Sequence, residues 1–203
     1  MQDAITPEQV EQTIAFHGHQ CPGLWIGIRA AELCLRELGT HRDQDPLVAV
    51  VETDMCGVDA IQVLTGCTFG KGNLIHRDYG KSAFSFYRRR DGKGLRALFR
   101  NGVMGETGPE LRGLMKKIFA GQASEAEKKR AGELKEENRR KVMAATLEEL
   151  FTITEAAPMP RGAKILDSLE CVACGESTME SRTRRFAGQT YCIPCFEQVE
   201  QKK

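Results

Sequence analysis

Residues 46–66 read PLVAVVETDMCGVDAIQVLTG, and the fold turns on how this stretch divides. After Pro46, the unbroken apolar run Leu47-Val48-Ala49-Val50-Val51 predicts a buried strand. From about Val58 to Leu64 the apolar residues take helical spacing, and Gly66 stops the helix. Upstream, Thr6-Pro7-Glu8-Gln9 is a helix start, with Thr6 as N-cap, Pro7 in the first turn and Gln9 closing a capping box. A second helix, about Leu24 to Leu38, carries Leu24, Ile28, Ala31, Leu35 and Leu38 at helical spacing and ends at Gly39. Downstream, Asn73 to His76, Ala83 to Tyr87 and Leu95 to Phe99 read as strands, separated by turns at Asp78 to Gly80 and at Asp91-Gly92. Helix, helix, strand, helix and three further strands predict an α+β domain: a mixed β-sheet flanked by helices.

Gly108-Pro109 opens another helix, with Leu111, Leu114, Met115, Ile118 and Phe119 inward and Gly121 as its stop. Ser124-x-x-Glu127 is a capping box for a long helix expected to reach about Phe151. Its charged first half, Glu125 to Lys141, reads as a solvated face and its apolar second half as core-packing. Pro158 and Pro160 mark an extended linker over residues 156–164. The expected division is a core domain over residues 1–155 and a small domain over 165–203.

The chain has 203 residues, enough for one sizeable core and an appendage, and a net charge of +1. Near-neutrality argues against a global pull toward nucleic acid or anionic lipid. The N-terminus has no charged and apolar signal pattern, and no apolar run approaches a bilayer-spanning length. A soluble cytoplasmic protein without membrane contact is expected, and a homodimer. The eight cysteines have spacings that fit metal sites rather than disulfides.

Phe16-His17-Gly18-His19-Gln20-Cys21-Pro22-Gly23 concentrates two imidazoles and a thiol. In an extended loop, residues at i, i+2 and i+4 point to one side, so His17, His19 and Cys21 can converge. That donor set suits zinc or another transition metal (nickel, copper or iron) better than magnesium or calcium. Cys21 precedes one helix and Cys56 another, and both thiols are expected to meet helix N-terminal amides that favour a thiolate. The alternative is a tight loop with structural histidines and a buried cysteine. His19 is expected to be the better-placed imidazole, with His17 a ligand or a support. Asp54 or Asp59 can orient a histidine or act as a base, and Lys71 with Asn73 is expected to line the crevice and hold an anionic substrate. The glycine-punctuated stretch around Lys71 does not have Walker spacing. Cys67 lies about 16 Å from Cys56 along a helix and is expected outside the site. Cys34 is expected in the core.

Cys171-x2-Cys174 and Cys192-x2-Cys195 form two knuckles, the pattern of a closed tetrahedral structural zinc. Metal binding should supply the folding energy of this small domain. Arg182, Arg184 and Arg185, with Phe186 and Tyr191, lie between the knuckles. They are either a solvated finger surface or a contact for nucleic acid or an acidic protein patch. This last segment resembles the zinc finger of regulators of the DksA/TraR type.

The His-Gly-His-Gln-Cys-Pro-Gly loop, Asp54-x-Cys56-x2-Asp59-Ala-Ile-Gln, and Leu-Thr-Gly-Cys-Thr-Phe-Gly-Lys-Gly-Asn together resemble the FmdE family over most of residues 10 to 100. The resemblance implies an α+β core with a metal site at His17, His19, Cys21 and Cys56. It also implies association, in some members, with the molybdenum or tungsten enzyme that reduces carbon dioxide onto methanofuran, and hence the one-carbon redox metabolism of anaerobes. An oxidoreductase, or a component of one, is one expectation. The alternatives are an accessory factor that handles metal or cofactor for such an enzyme, and a zinc-finger regulator acting on RNA polymerase or nucleic acid.

Overall fold

The computed structural model describes residues 5–40, 46–162 and 164–200. It divides into two compact units, 1–161 and 162–203. In the first, α1 (Pro7–His17) starts on the Thr6/Gln9 capping box, and α2 (Pro22–Leu38) on Cys21 as N-cap. Strand β1 (Leu47–Val51) is buried along its whole length and leads into α3 (Gly57–Thr65). Strands β2 (Leu74–His76), β3 (Ala83–Arg88) and β4 (Gly94–Phe99) follow. The mixed α+β class expected from the sequence is what the chain adopts.

The sheet order is β2-β1-β3-β4-β5. β1 and β2 are parallel, with Val51 opposite His76, and the other pairs are antiparallel. Strand alternation sorts the side chains. Leu47, Ala49, Val51, Phe84, Phe86, Leu95 and Ala97 face the helical layer and share its core with Leu24, Ile28, Leu33 and Ile61. Val48, Val50 and Tyr87 point the other way, where Ala156 and Met159 pack on them. These last two residues were expected in a linker, but they cover sheet surface, and the unit boundary falls after Arg161.

The crossing of α2 and α3 is set by glycine. A Cβ on Gly27 would lie 2.2 Å from the Gly57 carbonyl oxygen and 2.5 Å from its Cα. The two helices therefore touch backbone to backbone, which brings their N-termini together.

Helix α4 (Thr107–Phe119) and α5 (Glu125–Ala144) form a hairpin closed by Leu111, Ala131 and Leu134. The expectation of one helix to about Phe151 is corrected here. α5 stops at Ala144, and Thr146 starts the short α6 (Leu147–Leu150) with its own capping box to Glu149. Phe151–Glu155 is then strand β5, paired antiparallel with β4. The buried stripe of α5, Ala131, Leu134, Asn138 and Val142, runs through its charged part as well, so that part is not simply a solvated face.

In the second unit, β6 (Ser168–Glu170) pairs with β7 (Ser177–Met179). β8 (Thr183–Phe186) pairs with β9 (Gln189–Cys192) and is followed by α7 (Ile193–Val199). The β8–β9 turn, Ala187-Gly188, has positive φ at both residues, the geometry of a tight hairpin turn. Among the described residues of this unit, only Cys171 and Cys192 are buried.

Candidate metal centres

The four sulfurs of Cys171, Cys174, Cys192 and Cys195 lie within 4.8 Å of one another. Cys174 Sγ and Cys192 Sγ are 3.9 Å apart. Zinc–sulfur bonds of about 2.3 Å in a tetrahedron give an edge of about 3.8 Å. The unit has no apolar core beside these cysteines, so the cluster is what holds the finger together, and it fits a structural zinc. The Cys192 and Cys174 backbone amides lower the Cys171 thiol to about 6. Hydrogen bonding with Cys192 pushes Cys195 up to about 12. Four sulfurs this close cannot all ionise without a cation among them.

The second cluster is built where α1, α2 and α3 meet. Gly18 ends α1 with φ +86°, and the chain folds back so that His19 and Cys21 return toward His17. Ligand atoms of His17, His19 and Cys21 lie within 4.8 Å of one another. His17 Nδ1 is 2.7 Å from Asp59 Oδ2, and His17 Nε2 is 3.8 Å from Cys21 Sγ. Asp59 holds the proton on Nδ1 and leaves the Nε2 lone pair facing the thiol, the carboxylate–histidine arrangement that supports metal ligation. Nitrogen and sulfur ligands on one tetrahedral zinc are separated by about 3.6 Å, close to the gap observed.

Of the two imidazoles, His17 has the held orientation. Its side chain is only 10% exposed, whereas His19 is exposed, its ring 4.4 Å from that of His17. The expectation that His19 is the better placed is corrected, because the Asp59 carboxylate fixes His17. Asp54 is exposed, and the orienting role goes to Asp59.

Cys21 Sγ accepts from the Leu24 amide at 3.4 Å, as expected of a thiol capping a helix. Cys56 approaches Cys21 across Gly23. A Cβ there would lie 3.9 Å from each sulfur and 3.3 Å from Cys56 Cβ, so glycine keeps this space clear. The expected activation of Cys56 by a helix N-terminus does not occur. Its side chain makes no capping bond. Burial, then the neighbouring Cys21 thiol, raise it to about 11. A cation between the two sulfurs would reverse that balance.

Lys71 and Asn73 do not line this crevice. Asn73 Nδ2 donates to the Leu47 carbonyl at 3.0 Å, at the start of β1. Cys56 follows the other end of that strand, about 16 Å away at strand rise. Lys71 is exposed and its charge acts on Cys67, beyond the far end of α3. Cys34 and Cys67 are fully buried.

Three residues beside Cys21 escaped sequence reasoning. Trp25, Lys135 and Arg139 share with it the wall of a cavity of about 120 Å³. Nothing in a charge run marks which of its faces meets a site.

The sequence profile described as "FmdE, Molybdenum formylmethanofuran dehydrogenase operon" matches residues 16–152, and that of the prokaryotic dksA/traR C4-type zinc finger matches 164–201. A curated relative, the "Probable S-adenosyl-L-methionine-binding protein" of Archaeoglobus fulgidus, is 34% identical over 191 residues. The match covers 88% of this chain and 52% of that protein, so the chain spans about half of the relative's length. The crystal structure of an FmdE-like protein of the tungsten formylmethanofuran dehydrogenase type, from Syntrophus aciditrophicus, superposes with a TM-score of 0.59 at 26% identity, covering 97% of this chain and 93% of that one. Among the described residues, no helix is long and apolar enough to cross a membrane. With a mixed-sheet core and a four-cysteine finger matching two profiles in the same order, the chain belongs to the FmdE family and carries a C-terminal dksA/traR-type zinc finger.

Proposed function

We propose that the N-terminal unit holds a transition metal on Cys21, Cys56 and His17, with His19 at its exposed side. We further propose that this open centre serves a molybdenum or tungsten oxidoreductase of one-carbon metabolism, either in catalysis or in handling its metal or cofactor. The observation that carries the metal assignment is the Asp59–His17–Cys21 chain, with contacts of 2.7 and 3.8 Å. An exposed face leaves room for a bound water or substrate, unlike the four-thiolate finger. Such a metal, when bound, supplies Lewis acidity toward a ligand oxygen. The protein's part is fixed by its own residues. Asp59 keeps His17 in one tautomer, the Leu24 amide stabilises charge on Cys21, and Gly23 lets the Cys56 sulfur approach. The link to an oxidoreductase rests on the family and on the similar FmdE-like structure. The finger is then a docking element, with Arg184 and Arg185 exposed on β8.

The metal assignment is tested by anaerobic chelator competition. Asp59→Ala should weaken the N-terminal metal about 10- to 100-fold and leave the finger's metal in place. Unchanged affinity at both sites would show that His17 is not a ligand.

A further inference from the structure

The cavity beside Cys21 is built for something the metal ligands alone do not explain. Its volume is about 120 Å³, and its wall includes Gln20, Cys21, Trp25, Lys135, Glu136 and Arg139. Trp25 is 5% exposed, yet its indole Nε1 is buried without a hydrogen-bond partner. An indole N–H can only donate, and a buried donor without an acceptor is a standing cost, so this one calls for an acceptor in the cavity.

The charges nearby sort themselves. The Arg139 guanidinium lies 5.5 Å from the centre of the Trp25 ring, and Glu136 binds it in two-point fashion at 2.5 and 2.7 Å. That pair largely cancels. Lys135 is half-buried and has no ion pair among the described residues. The cavity is left with one donor N–H and one unmatched positive charge.

A third observation is independent of these. Gly132 lies inside α5, where glycine is a poor helix former, and it lines the same cavity. A Cβ at this position would meet nothing within 4 Å. No neighbouring atom demands a glycine there, but the empty space in front of it does, because a side chain would occupy it. Gly132, Lys135, Glu136 and Arg139 recur at helical spacing and present one face of α5 to Cys21.

We propose that this cavity binds a small oxyanion of the carboxylate or hydrogencarbonate class. One oxygen accepts from the Trp25 indole N–H, and the charge rests against Lys135. This deepens the metal-centre reading on which it rests, by naming the class of molecule presented beside Cys21. The size limit follows from volume: a cavity of about 150 Å³ takes benzene, so this one takes fewer heavy atoms than that.

Trp25 is the chain's one tryptophan, so its fluorescence reports on this cavity alone. The full chain would be titrated with sodium acetate at constant ionic strength, with metal content measured on the same sample. A saturable change is expected, weakened at least about 10-fold in Lys135→Gln, the scale of one charged hydrogen bond. It should be abolished in Gly132→Leu, which adds a good helix former and fills the cavity. Benzoate should not saturate. The proposal is overturned if acetate gives no saturable response, or if the response is unchanged in Gly132→Leu. Failure of the metal reading looks different: a chain carrying metal only in the finger, whatever acetate does. A metal-loaded centre with no acetate response would remove the oxyanion site and leave the metal assignment standing.

Discussion

Replacing Gly27 with alanine should separate α2 from α3. The added methyl would sit 2.2, 2.5 and 2.7 Å from the oxygen, Cα and carbonyl carbon of Gly57. Ordinary contact needs about 3.4 Å or more, so the helices must part by roughly 1 Å. The obstructing atoms are backbone and cannot rotate away. Overpacking of this kind costs about 1–3 kcal/mol, and a backbone clash belongs at the upper end. The better helix propensity of alanine returns up to about 1 kcal/mol. A net loss of about 2 kcal/mol is expected, a fall of about 4–8 °C in melting temperature for a unit of this size. The assay is thermal and urea unfolding followed by Trp25 fluorescence, which reports the N-terminal unit only. Gly113→Ala, inside α4 with nothing within 4 Å of its added Cβ, is the control and should stabilise by about 0.5–1 kcal/mol. Because Cys21 and Cys56 flank the crossing, Gly27→Ala should also weaken the N-terminal metal. A Gly27→Ala protein as stable as Gly113→Ala would refute the backbone contact between α2 and α3.

Cys174→Ser should unfold the finger and leave the Trp25-reported transition in place, since the buried side chains described in that unit are the two cysteines Cys171 and Cys192. Loss of both transitions together would show that the units do not fold separately. Glu52 accepts two hydrogen bonds from Arg96, at 2.6 and 2.8 Å. Arg96 keeps 26% exposure, so Glu52→Gln should cost about 1–2 kcal/mol. Arg96 lowers the Glu52 carboxyl below its ordinary value. The pair's stabilisation is therefore complete above about pH 4.5 and disappears as pH falls below it. Urea unfolding of parent and Glu52→Gln should converge in acid, and a gap independent of pH would contradict the ion pair. In metal-stripped protein, iodoacetamide should modify Cys21 and Cys56 well before the fully buried Cys34 and Cys67, and mass spectrometry showing equal rates would contradict their placement.

Local chemistry made much of this fold readable. The Thr6/Gln9 and Ser124/Glu127 capping boxes mark real helix starts, and Leu47–Val51 is the buried strand its composition predicts. Thr146-x-x-Glu149 bears the same capping signature, but it follows an amphipathic stretch that looks continuous, and β5 went unread with it. The His17/His19 distinction was not local at all. It depends on Asp59, 42 residues away, brought in by helix packing at a Gly27–Gly57 contact that no periodicity encodes. Lys71 misled because sequence proximity to Cys67 does not say which end of α3 a loop occupies. Lys135 and Arg139 look like any exposed helical charges until the α4–α5 hairpin lays them beside Cys21.

The most direct measurement is an anomalous-scattering map of crystals grown anaerobically from protein purified without added metal. One peak is expected among the sulfurs of Cys171, Cys174, Cys192 and Cys195. A second is expected bonded to Cys21 Sγ, Cys56 Sγ and His17 Nε2, with Asp59 still on His17 Nδ1. A single peak in the finger, or a second peak away from His17 and Cys21, would contradict the account of the N-terminal centre.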